Sequence, residues 1–290
     1  MKDFLFVSVT VGRKNTRKLI KILKDLNLSK IVHLDKFDII TGSCSFKLPS
    51  EDKRIHKFIA QIKDNKLNDN PFVRADREYS QEELGNAQWL LLLIKTAGLY
   101  NPKDNQVFDK TKACSDCGTG AMPIPPLLIS ANQMGKKMID HTVHAGLLIF
   151  NKELSKKIVN SGFTGIEFHQ AILGKEKEQY MWGKVTSSFP PLHTKSVVKK
   201  RRVCNLCSRG GYFSVIQQVR ELWYDNKNLF KFNQKDFNTT YEYFGTPYEY
   251  IGEKGRKLGG RQLIIISQRT RQFFIKEKVR LLSFEPIFLI

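Results

Sequence analysis

Carboxylates are scarce in this chain of 290 residues: 28 Asp and Glu stand against 48 Lys and Arg, a formal net charge of +20. An imbalance of that size speaks to partners and solubility rather than to fold. It favours a polyanionic or acidic partner, although a host with a generally basic proteome would give the same balance. Long apolar runs are missing as well. Trp89-Leu-Leu-Leu-Leu-Ile94 falls far short of the roughly 20 residues a spanning helix needs. The N-terminal run through Phe4, Leu5, Phe6 and Val7 is met by Gly12, Arg13 and Lys14, with neither the apolar core nor the cleavage site of a secretory signal. No membrane partner is expected, and the cytoplasm is the expected location. Catalytic signatures are lacking too. There is no Gly-rich phosphate loop followed by Lys-Ser/Thr, no nucleophile elbow and no His-Glu-x-x-His. Lys257-Leu-Gly-Gly-Arg261 reads as a turn before a strand. The sequence leans away from an enzyme.

What is present suits an ordinary soluble protein, 41% hydrophobic and 26% charged, with length for two modest domains. The predicted class is α+β. Residues 1–80 read as strand, helix, strand, strand, helix, strand, the order of a ferredoxin-like unit. The strands are Phe4–Thr10, Ile31–Ile40, Ser43–Leu48 and Phe72–Arg74. One helix is capped by Asn15 or Thr16 and carries Leu19, Ile22, Leu23 and Leu26; the other starts after Ser50 and carries Ile55, Phe58 and Ile62. Residues 81–112 read as a linking helix and loop. The helix opens with a capping box of Ser80 and Glu83 and runs through Ala87–Ala97. Residues 113–290 read as a zinc-binding α+β domain with two related halves. Leu147-Leu-Ile-Phe-Asn151 and Leu263-Ile-Ile-Ile-Ser267 each look like a buried strand ending in a helix cap, then a helix and a second strand. Laid over one another without gaps, they place Ile149 on Ile265 and Phe168 on Phe284.

Four of the five cysteines form two Cys-x-x-Cys pairs, Cys114/Cys117 and Cys204/Cys207. In a reducing compartment such pairs bind metal or do redox work. A Cys-x-x-Cys turn holds two thiolates on one side of a knuckle, and two knuckles complete the tetrahedral sulfur shell that zinc prefers. One structural zinc per chain is the expectation, with a whole subdomain inserted between the knuckles. A thioredoxin-like pair is the rival, but neither pair sits at a strand-to-helix junction. His141 and His144 offer a further alternative. They could join Cys114 and Cys117 around a metal, form a separate catalytic metal site of a hydrolase with Asp140 and Glu167 as nearby carboxylates, or be polar residues at a strand entrance. Four thiolates leave zinc no open position for water. The fifth cysteine, Cys44, reads as a buried inert thiol.

Positive charge gathers in three places: Arg13, Lys14, Arg17, Lys18, Lys21 and Lys24; then Lys195 and Lys199–Arg202; then the C-terminal segment from Lys254 to Arg280. Between the last two lies an aromatic stretch from Trp223 to Tyr250, including Tyr224, Phe230, Phe232, Phe237, Tyr241, Tyr243, Phe244 and Tyr248. Aromatics interleaved with cations suit a single-stranded nucleic-acid platform or a protein interface. A strand with one buried face would show the same pattern.

Cys114-Ser-Asp-Cys-Gly118, the later Cys204-x-x-Cys207 and the segment from Leu147 to Phe168 with its Gly-Phe-Thr-Gly-Ile-Glu-Phe end resemble the double-CxxCG family. Ile266-Ser-Gln-Arg and Leu282-Ser-Phe-Glu-Pro286 are similar to the closing strand–helix–strand of such domains. The resemblance covers roughly Cys114 to the C-terminus. It implies a bacterial immunity-type protein of a polymorphic toxin system, which docks on a toxin domain and neutralises it. It also implies a structural role for Cys114, Cys117, Cys204 and Cys207. With this net charge, an acidic toxin, or docking away from a basic active site, is expected.

Overall fold

The computed structural model describes residues 1–32, 41–68, 71–96, 98–99, 106–129, 134–135, 137–142, 147–173, 176–200, 203–213, 220–245, 249–251, 256–258 and 260–290. It is a mixed α+β protein of two compact units, one spanning Met1–Ser80 and the other Gln81–Ser214 with Arg220–Ile290.

In the first unit β1 (Lys2–Gly12) is the central strand, antiparallel to β2 (Thr41–Pro49) on one side and to β3 (Phe72–Glu78) on the other. Alternation decides which face is covered: Val7, Val9 and Val11 of β1 and Cys44, Phe46 and Leu48 of β2 are buried. They form one core with Leu19, Ile22 and Leu23 of α1 (Thr16–Asp25) and Ile55, Phe58 and Ile62 of α2 (Lys53–Asp64). Each such side chain contributes roughly 1.5–3 kcal/mol on burial. Asp52, rather than Ser50, caps α2, accepting from the Arg54 N–H at 2.9 Å. Gly42 lies so close to α1 that a Cβ there would stand 2.6 Å from Thr16 Oγ1. Cys44 is 1% exposed, and burial pushes its thiol up to about 11, as expected of an inert cysteine. Of the predicted strand Ile31–Ile40, Ile31 lies in a turn and residues 33–40 fall outside the described residues.

The second unit corrects the linking helix. α3 (Gln81–Asn86) starts directly after Ser80 but ends within two turns, and β4 (Trp89–Ile94) is a strand. Leu90, Leu91 and Leu92 are all buried in succession, which a strand covered on both faces achieves with a short unbroken apolar run. After the small ladder of β5 (Phe108–Asp109) and β6 (Met122–Pro123), the chain builds β7 (Leu127–Ile129), β8 (Ile139–His141), β9 (Leu148–Asn151), α4 (Lys152–Asn160), β10 (Ile166–Leu173) and β11 (Glu176–Val185). These strands form a sheet of order β7-β10-β11-β9-β8. The rest adds β12 (Lys199–Lys200), β13 (Tyr212–Phe213), β14 (Trp223–Tyr224), α5 (Asn226–Leu229), β15 (Phe237–Thr239), β16 (Glu249–Ile251), β17 (Arg256–Leu258), β18 (Ile264–Ser267), α6 (Gln268–Lys276), β19 (Leu282–Pro286) and β20 (Phe288–Leu289). Of these, β15, β18 and β19 join β4 in a second sheet of order β15-β18-β4-β19.

Apart from β7, which the second sheet does not match, the two sheets repeat one another in strand order and register. Asn151 pairs with Tyr180 and Ser267 with Trp89; Ile166 pairs with Val185 and Leu282 with Ile94. Phe168 faces Gly183 where Phe284 faces Leu92. The outer strands match too, Ile139 opposite Phe150 and Phe237 opposite Ile266. Asn151 caps α4 through the Leu154 N–H, and Ser267 caps α6 through the Thr270 N–H. Thr142 and Thr240, both buried, accept from the N–H of Leu147 and Leu263. Counting only the elements that match, each repeat runs in chain order strand (β4 or β11), Cys pair, strand (β8 or β15), strand (β9 or β18), helix (α4 or α6), strand (β10 or β19). Yet β4, which opens the first repeat, sits between β18 and β19 of the second, and β11, which opens the second, sits between β9 and β10 of the first. The repeats have exchanged their leading strands.

Candidate metal centre

Both cysteine pairs lie on the same kind of turn. The Gly118 N–H donates to the Cys114 carbonyl and the Ser208 N–H to the Cys204 carbonyl, each at 2.9 Å. Gly118 has a φ of 72° and Ser208 a φ of 54°, so the serine takes the left-handed conformation that glycine adopts without strain. The knuckles meet across the repeats. Cys114 Sγ is 3.7 Å from Cys204 Sγ, and Cys117 Sγ is 3.6 Å from Cys207 Sγ. All four sulfurs lie within 4.8 Å of one another. A metal–sulfur bond of about 2.3 Å, the value for zinc, gives a tetrahedral edge of about 3.8 Å, so the four thiols fit a metal ion. Gly210 lets the knuckles approach, because a Cβ there would stand 2.8 Å from Thr119 Oγ1 and 3.4 Å from Cys117 Sγ.

Groups around the sulfurs fix them further. Thr119 Oγ1 is 3.1 Å from Cys117 Sγ, and the Arg209 N–H donates to Cys207 Sγ at 3.5 Å. Arg209 is held in turn by the rings of Tyr241 and Tyr243, 4.7 and 5.2 Å away, and donates from Nε to the Tyr241 carbonyl. Burial raises the Cys117 thiol, and it is the chief cause pushing Cys204 up to about 12, with Asp116 beside Cys204 at 3.2 Å adding to it. At Cys114 burial also acts upward, but N–H donors from Cys117 and Asp116 outweigh it and bring the thiol to about 7. Four thiols in one place cannot all ionise without a cation, so binding a metal here releases protons.

His141 joins no such cluster among the described residues. It ends β8 with Nδ1 3.5 Å from Asp140 Oδ1, and His144 falls outside the described residues. Asp140 is 0% exposed. Burial alone would raise its pKa; instead His141, the Lys137 Nζ at 2.7 Å and the Thr96 hydroxyl hold it well below the usual carboxylate range. Its counterpart in the other repeat is Asn238, equally buried and bonded to the Lys235 backbone. Lys137-Met-Ile-Asp-His-Thr142 and Lys235-Asp-Phe-Asn-Thr-Thr240 share the outer Lys and Thr, a signal that sequence reading passed over. Glu167 is exposed, with its carboxylate 3.8 Å from His169 Nε2.

The aromatic stretch divides. Tyr224, Phe237, Tyr243 and Phe244 are buried and unavailable for stacking. Trp223 stacks on Phe288 at 4.8 Å with Lys195 Nζ over its ring at 3.6 Å. Phe230 and Phe232 are exposed; Tyr248 and the side chain of Tyr250 lie outside the described residues. The C-terminal cations divide likewise. Arg269 lies over Phe163 and pairs with Asp236, and buried Arg271 donates to Gln81 and Gln268. No helix among the described residues is long and apolar enough to cross a membrane. No protein-family model matches this chain, and no curated protein is significantly similar to it.

Proposed function

We propose that the chain is a non-enzymatic binding protein that holds one structural zinc ion on Cys114, Cys117, Cys204 and Cys207. In this reading it neutralises an acidic toxin domain by docking on it, as its resemblance to double-CxxCG immunity proteins implies. The supporting observation is the sulfur cluster itself, with edges of 3.6 and 3.7 Å between knuckles of opposite repeats. Four sulfurs saturate zinc, so the ion shapes the protein and offers no position to a substrate. Docking is then left to the surface, and at a net charge of +20 electrostatic steering favours an acidic partner.

Metal analysis of the purified chain tests the first part. About one zinc per chain is expected, lost together with cooperative unfolding in Cys204→Ser; a zinc-free chain that still melts cooperatively refutes it. Co-expression tests the second. A gene for a toxin domain is expected beside that of the chain, and the chain is expected to restore growth to cells making that domain; no such neighbour, or no rescue, overturns the docking role.

A further inference from the structure

The outer face of α1 carries Arg17, Lys18, Lys21 and Lys24, all exposed, and the turn ahead of the helix adds exposed Arg13 and Lys14. None of these six makes an ion pair among the described residues. Asp25 is the one carboxylate on the helix. α2, which packs beside α1 in the same core, adds exposed Lys53, Lys57 and Lys63, while its Asp52 is occupied by Arg54. Arg17 and Lys21 are four residues apart, and Lys18, Lys21 and Lys24 follow at intervals of three, so like charges stand next to one another and oppose the helix. A row that weakens its own helix and finds no ion-pair partner among the described residues points outward.

The chemistry of the face selects the occupant. A membrane-surface helix inserts a free apolar side, but Leu19, Ile22 and Leu23 are committed to the core. A protein partner binds through aromatic or aliphatic anchors among its contacts, and the stripe offers none. A phosphate backbone needs cations alone. Duplex nucleic acid carries one charge per about 1.7 Å of axis, twice the density of a single strand, and gains more from each neutralised phosphate. We infer that the α1 face is a docking surface for the phosphodiester backbone of duplex nucleic acid, bound without base recognition. This site is separate from the cysteine centre, and its test is independent of metal content and toxin neutralisation.

The test compares the full chain with two variants that lose the same charge. One replaces Arg17, Lys18, Lys21 and Lys24 with Ala; the other replaces Lys227, Lys231, Lys276 and Arg280, also exposed. Fluorescence anisotropy with a mixed-sequence duplex of about 20 base pairs, from about 50 to 200 mM salt, reads affinity and its salt slope. The expected result is duplex binding tighter than that of the matching single strand. The α1 variant is expected to lose at least about tenfold in affinity, its slope shallower by about 0.9 for each phosphate contact removed. The second variant is expected to stay near wild type. Thermal melting of the α1 variant is expected at or above the wild-type midpoint; if it melts lower, Lys21→Gln with Lys24→Gln replaces it, with the same expected direction. No duplex binding at low salt, equal losses in both variants, or preference for the single strand overturns the inference.

Discussion

Ser208 and Lys278 stand at positions where the matching residue of the other repeat is glycine. Ser208 answers to Gly118 at the end of a knuckle, and Lys278 to Gly162 at the end of a helix. Phe163 and Val279 close the two helix ends with the same bond, donating to the Ile158 and Phe274 carbonyls. A left-handed backbone strains a side chain and suits glycine, so Ser208→Gly and Lys278→Gly are each expected to stabilise by about 0.5–1 kcal/mol. A rise in thermal midpoint, measured with metal present, checks this. Asp140 shows the opposite economy, a buried charge satisfied by three neighbours. Its folded pKa lies below the unfolded value of about 3.9, so the stability it contributes is present above that pH and lost as acidification approaches the folded pKa. Asp140→Asn, which installs the residue type found at Asn238, is expected to melt lower near neutrality. It is also expected to lose less on acidification than wild type, and parallel pH profiles would contradict this account. The cysteine cluster was legible in the sequence because ligand type and knuckle spacing are local facts. The burial of Asp140 was not, since Thr96 reaches it from a distant segment and joins the nearby Lys137 only in the fold.

Among elements, β4 teaches most about what periodicity can and cannot decide. A capping box followed by apolar residues is a fair helix signal, but six apolar residues in a row carry no period to choose between helix and strand. The choice was made by partners far along the chain, Leu91 pairing with Ile265 and with Glu285. The similarity of Leu147–Phe168 to Leu263–Phe284, by contrast, could be read directly, because strand, cap and helix lie side by side in sequence, and the pairing registers agree with it. One difference between the sheets explains a glycine. Gly183 occupies the place of Leu92, and a Cβ there would stand 2.5 Å from the Phe150 ring and 2.7 Å from Ile166 Cδ1. The opposite repeat has Ile266 where this one has Phe150. Gly183→Ala is therefore expected to cost about 1–3 kcal/mol through overpacking. Combining it with Phe150→Ile should recover part of that loss, and additive losses in the double-mutant cycle would show that the crowding lies elsewhere.

At the scale of the whole molecule, the α+β class and the two Cys pairs were readable from the sequence, whereas the exchange of β4 and β11 was not. Nothing local to a strand says which of two similar sheets it will enter. The exchange has a consequence for how this protein can be cut. The boundary between repeats falls after Leu173, where β10 ends, and before Glu176, where β11 begins, and a protease nick there leaves one Cys pair and one donated strand on each side. Neither fragment then owns a complete sheet or a complete sulfur shell, so the fragments are expected to stay together as a complementing pair. Size-exclusion chromatography of the nicked protein is expected to show one species with metal bound and two fragments once a strong chelator and dilution are applied. Fragments that separate while metal is still bound would mean that the borrowed strands hold less than their pairing suggests. A molecule built this way is, in its connectivity, a dimer written on a single chain.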